Sequence, residues 1–87
     1  MNAEPTPEFF RDLSPAEVVR AVLAPREIEQ ALNVSRSTIW RWSQPKGRGT
    51  GGVVPSQYHV PLMRLARQLG RTLTTEDLVL GRNRTEA

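Results

Sequence analysis

The stretch ALNVSRSTIWRW, residues 31–42, holds a stop and a restart. Asn33 tolerates left-handed backbone, so it can end a helix that arrives through Ala31 and Leu32. Only Asn33 and Val34 then stand before Ser35, whose hydroxyl suits an N-cap. Beyond it, Ile39 and Trp42 lie three residues apart, the spacing of one buried helix face; Pro45 stops that helix, which puts its end near Gln44. These residues alone predict two short helices joined by a tight turn.

Working upstream, Pro25 cannot continue a helix but can open one, and Ile28, Ala31 and Leu32 give the segment 25–32 a shared apolar face. Ser14-Pro15-Ala16-Glu17 reads as a capping box with proline at the first helical position. Val18, Val19, Val22 and Leu23 follow at helical spacing, predicting a first helix over 15–24. Phe9, Phe10 and Leu13 are expected to fold back as core, because a chain of 87 residues has too little apolar area to leave two phenylalanines in water. Residues 1–13 thus read as an extension packed on the bundle.

Downstream, PKGRGTGGVV (45–54) carries four glycines and two cations, Lys46 and Arg48. No Gly-Lys-Ser/Thr follows and no strand precedes, which excludes a Walker-type phosphate loop; the composition predicts a flexible basic connector. Tyr58, Leu62, Leu65, Ala66 and Leu69 mark a fourth helix closed by Gly70. Its start is open: Ser56 caps it and it bends at Pro61, or regular helix begins at Pro61. Thr74-Thr75-Glu76-Asp77 is a second capping signal ahead of Leu78 and Val79 in a short fifth helix, and 81–87 is expected to fray. The whole reads as an all-α, compact bundle of about five helices, with its domain over 14–80.

Cysteine is absent, which excludes disulfides and cysteine-based zinc sites. No apolar run approaches the roughly 20 residues of a membrane helix. MNAEPTPEFF lacks the basic-then-apolar order of a signal peptide, so a soluble, cytoplasmic protein is expected. The net charge of +3 is unevenly spread: residues 30–75 carry seven cations and no acid. Such a stretch makes either a solvated basic surface or the electrostatic footprint of a nucleic-acid binder.

Residues 26–44 resemble the helix-turn-helix of the lambdoid phage repressor and Cro family, whose usual run is roughly L-A-x-x-L-G-V-S-x-x-x-I-x-x-W. Ile28, Leu32, Val34, Ser35, Ile39 and Trp42 fall on it. Asn33 stands where glycine is commonest, and Glu29 where a small buried alanine is usual. The Glu29 carboxylate must turn outward, pair with an arginine, or open the helix packing slightly. The resemblance implies a lambda-repressor-like bundle that lays its third helix in the major groove of double-stranded DNA. It places Arg36, Ser37 and Arg41 at base edges, arginine's planar fork matching the two acceptors of guanine. It places Arg26, Ser35, Thr38, Gln44, Lys46 and Arg48 on phosphates or in the neighbouring minor groove. Ser35 has capping as its simpler role. Trp42 reads as core; Trp40 lies off that stripe and faces DNA, the seam to another helix, or a partner.

No catalytic set converges in this sequence: His59 is the sole histidine, no second metal ligand stands at metal spacing, and no serine has a recognisable base. The expectation is a sequence-specific, nucleoid-associated transcriptional regulator of the phage or mobile-element repressor type, without enzyme activity, cofactor, metal, small-molecule ligand or membrane contact. An antitoxin or excision factor is the alternative within DNA binding. A helical adaptor that offers Trp40 and the basic face to an acidic protein is the alternative outside it. One recognition helix reads only about four to five base pairs, so a homodimer is expected. Met63, Leu73, Leu78, Val79 and Leu80 are the candidate interface, being more aliphatic side chains than a short last helix can bury.

Overall fold

A computed structural model describes residues 10–83. It contains the helices α1 (Pro15–Val22), α2 (Pro25–Leu32), α3 (Arg36–Trp42), α4 (His59–Gln68) and α5 (Thr75–Leu80), with a 3-10 turn at Ser56–Tyr58 ahead of α4. The architecture is all-α; among the described residues only two isolated bridges, Leu13 with Arg82 and Lys46 with Gly49, have β pairing. No described helix is long and apolar enough to cross a membrane.

Local chemistry explains the helix starts. At α1 the Ser14 hydroxyl accepts from the Glu17 N–H while the Glu17 carboxylate accepts from the Ser14 N–H at 2.8 Å. Thr74 and Asp77 repeat this reciprocal cap at α5. α2 opens on Pro25, and its Glu27 carboxylate takes the Ala24 N–H at 2.9 Å. α1 stops at Val22, two residues short of the expected end: Ala24 precedes a proline and is forced extended (φ −74, ψ 147), and Leu23 turns into the core. Asn33 closes α2 in the left-handed conformation (φ 56, ψ 45), and Asn33, Val34 and Ser35 make the whole connection to α3. At α4 the 3-10 turn resolves the open start: Pro61 sits in the first helical turn, where its missing N–H costs nothing.

Val18 and Val19 from α1, Ile28 from α2, Ile39 and Trp42 from α3, and Leu62 and Ala66 from α4 form one buried cluster that Val54 and Leu78 complete. α1 packs on α5, α2 on α3 and α4, and α4 on α5. Two expected apolar positions lie outside this core. Ala31 is exposed, since α2 buries the Ile28 and Leu32 stripe instead, and Leu69 is exposed beyond the last packed turn of α4.

The glycine-rich segment is not a flexible connector. Its backbone donates to carbonyls at and just beyond the end of α3: Thr50 N to Arg41 O (3.0 Å), Gly52 N to Trp42 O (2.7 Å) and Gly51 N to Gln44 O (2.7 Å). The Thr50 hydroxyl adds bonds to Trp42 O and Val53 O. These contacts also end α3 at Trp42, short of Gln44. A Cβ on Gly49 would lie 1.9 Å from the Arg41 carbonyl oxygen, and one on Gly52, which has φ +97, would lie 2.8 Å from Ser14 Cβ. Glycine is therefore required by close backbone approach.

The end of the domain is also tied down. Leu13 and Arg82 exchange backbone hydrogen bonds of 2.9 and 3.0 Å, and Arg11 N donates to Leu80 O. The expectation of fraying from residue 81 thus fails through Asn83, while 84–87 lie outside the described residues. Phe10 and Leu13 are half-buried, as the packed N-terminal segment requires; Phe9 lies outside the described residues. Arg82 also bonds both oxygens of Asp77, at 2.6 and 3.1 Å. Burial pushes the Asp77 carboxyl up, but the hydrogen bonds from Arg82 and Thr74 outweigh it and hold it below the usual range.

The expected dimer surface needs correction. Leu73 and Leu78 are 7 % and 2 % exposed, because α5 and the segment that leads into it fold over the bundle and spend both side chains on its own core. Met63 and Leu80 are half-buried, and Val79 alone of the five stands open.

Candidate nucleic-acid interface

α3 divides into two faces. Ile39 and Trp42 point inward, with the Trp42 ring tilted against Tyr58 at a centroid distance of 5.2 Å. Arg36, Ser37, Trp40 and Arg41 are all exposed, and their spacing puts them on the opposite side of the helix. Every candidate base reader therefore shares one solvent-facing surface. Trp40 joins them at 50 % exposure, which removes a core role for it.

Ser35 and Thr38 are engaged with each other. The Ser35 hydroxyl accepts from the Thr38 N–H at 3.1 Å, and the two hydroxyl oxygens lie 3.0 Å apart. Capping is thus the first role of Ser35, and that mutual bond uses one hydroxyl proton and leaves the other able to donate outward.

The seven cations of 30–75 do not act alike. Arg71 is structural: its Nη1 reaches Val22 O at 3.0 Å and Glu27 at 2.7 Å, bracing α4's exit against the α1–α2 corner. The Arg71 hydrogen bond leads in holding the Glu27 carboxyl below its usual range, helped by the Ala24 N–H. Arg36 Nε meets Glu29 Oε2 at 2.5 Å, so pairing is how this chain accommodates an acid at that position. Among the described residues Arg41, Lys46 and Arg48 form no ion pair, and all three are exposed. The ordered loop holds Lys46 and Arg48 immediately beyond α3's C-terminal end.

Arg26 is exposed near the start of α2. Gln44 fits least well: it is half-buried and borders a cleft of about 230 Å³ shared with Arg11, Asp12 and Glu17. Arg20, on α1, is a neighbour that no local pattern announces. It donates to the Ser43 hydroxyl at 3.3 Å and borders a groove with Pro25, Arg36, Ile39 and Trp40, bringing another cation beside α3. His59 is tied to the Val54 carbonyl at 2.8 Å, a bond that pins the loop to α4.

The surface can therefore offer planar donors, hydroxyl donors and one aromatic edge from a single short helix, with cations at its end. Set against protein-family models, curated proteins and solved structures, the chain matches none of them.

Proposed function

We propose that this chain is a sequence-specific double-stranded DNA-binding regulator of transcription, of the phage or mobile-element repressor type, in which α2 and α3 form a helix-turn-helix. The observation that carries this is the outward face of α3: Arg36, Ser37, Trp40 and Arg41 stand together in solvent, while the same helix anchors the core through Ile39 and Trp42. A rigid helix that presents donors at fixed spacing suits direct readout of base edges. Arg36, Ser37 and Arg41 read the major groove, and Lys46, Arg48 and Arg26 hold the phosphates. The chain acts by binding, in the nucleoid, without catalysis.

Two copies pair across half-sites about 34 Å apart, which gives the discrimination that one helix lacks. Val79, with the half-buried Met63 and Leu80, supplies the surface that the core does not use. Selection of bound duplexes from a random pool tests the reading: a preferred motif with two-fold symmetry supports it, and recovery of unselected sequence refutes it. Val79→Asp tests pairing without disturbing the core. The exposure of Trp40 favours one second reading, a protein adaptor for an acidic partner; binding to acidic peptides with no affinity for any duplex would select it.

A further inference from the structure

Glu29 is the last acid before the acid-free run 30–75, and it spends its carboxylate on Arg36, seven residues on, across the α2–α3 turn. The contact is through Arg36 Nε alone, at 2.5 Å. The Arg36 side chain is nevertheless 65 % exposed, against 28 % for Glu29. A guanidinium carries its five N–H donors in one planar fork. A carboxylate that takes Nε leaves the Nη1 and Nη2 edge facing outward, and that edge matches the O6 and N7 acceptors of guanine. A free arginine loses much rotamer freedom when it settles on a base; one already held has lost part of it on folding. A carboxylate beside a DNA-facing helix also repels phosphate.

We propose that Glu29 is a positioning residue, one that holds the Arg36 fork in the orientation that selects guanine and that trades non-specific affinity for sequence discrimination. This rests on the DNA-binding reading above. An exposed ion pair contributes little to stability, so the effect of this one belongs in base preference.

The test uses the full chain as wild type, Glu29→Ala, Glu29→Gln, Arg36→Ala and the Glu29→Ala/Arg36→Ala double variant, each checked for folding by circular dichroism. Duplex selection on the wild type and on Arg36→Ala first identifies the base pair whose guanine preference depends on Arg36. At that pair, Glu29→Ala is expected to lower the guanine preference on the order of five-fold or more, the lower end of what a bidentate contact discriminates. Its affinity for random duplex rises, because one negative charge has gone. Glu29→Gln, whose amide oxygen still accepts from Nε, keeps an intermediate preference. In the Arg36→Ala background, Glu29→Ala changes the preference no further. Wild-type preference retained in Glu29→Ala overturns the role of Glu29 while leaving DNA binding intact, as does an equal loss with and without Arg36. A wild-type chain that binds no duplex overturns the DNA-binding reading and this inference together.

Discussion

Replacing Trp42 by alanine removes the largest fully buried side chain among the described residues and leaves Tyr58 without its ring partner. Deleting a buried tryptophan costs about 3–5 kcal/mol, and losing the tilted aromatic pair adds about 0.5–1.5 kcal/mol. A chain of 87 residues has a total stability of about 4–13 kcal/mol, so the loss takes from about a quarter of it to all of it. At roughly 4–8 °C per kcal/mol for a domain this small, its Tm falls by at least about 14 °C. Trp40 is the built-in control: half its surface is already in water, so Trp40→Ala costs about 1–1.5 kcal/mol. Urea titrations followed by circular dichroism measure both. Each variant keeps a single tryptophan as a reporter, with blue-shifted emission expected from Trp42 in Trp40→Ala and red-shifted emission from Trp40 in Trp42→Ala. A larger loss in Trp40→Ala than in Trp42→Ala, or emission maxima in the reverse order, would refute the assignment of α3's two faces.

Arg41→Ala is expected to relax base preference, whereas Lys46→Ala and Arg48→Ala weaken binding evenly across sequences and each flatten the logarithmic salt slope by about one unit; equal behaviour of all three removes the division between reading and anchoring. Gly49→Ala drives a methyl into the Arg41 carbonyl, 1.9 Å away, and should destabilise the fold by about 1–3 kcal/mol in urea. An unchanged midpoint there contradicts the ordered loop. Asp77 and Glu27 are held below their ordinary values of 3.8 and 4.5, so in acid the unfolded chain binds more protons than the folded one. The stability they confer is complete above those ordinary values and is lost as pH falls through the lowered ones. Asp77→Asn should therefore be less stable at neutral pH and show a shallower loss below about pH 4, and an acid limb identical to wild type counts against the Asp77–Arg82 pair.

Much of the candidate interface is legible in residues 31–42 because it is helical phase and nothing more. Once Ser35 caps and Ile39 and Trp42 face inward, Arg36, Ser37 and Arg41 must face outward, and Trp40 with them. The pairing of Arg36 with Glu29 is half-legible, since an acid where a small residue is usual needs a partner, but seven residues and a turn separate the two. Arg20 is illegible. It reaches Ser43, 23 positions along the chain, only because α1 and the end of α3 come together.

The sequence by itself determined the all-α class, the helices, and the starts of α1, α2, α3 and α5. The devices responsible act within four residues: Ser14 with Glu17, Thr74 with Asp77, Pro25 at a first turn, Asn33 at a left-handed close. Such contacts close almost no loop and hold wherever the chain goes next. What tertiary structure alone decided is everything that depends on the chain's return. Four glycines in ten residues read as mobility, yet Gly49 and Gly52 are glycines because Arg41 and Ser14 press against them. Leu73 and Leu78 read as spare aliphatic surface, yet α5 and the segment that leads into it lie over the bundle and bury both. The tail reads as frayed, yet Arg82 pairs with Leu13 and Asp77. In each case composition reports which side chains are available, whereas burial depends on which distant segment arrives to cover them, and that is a property of the packed chain.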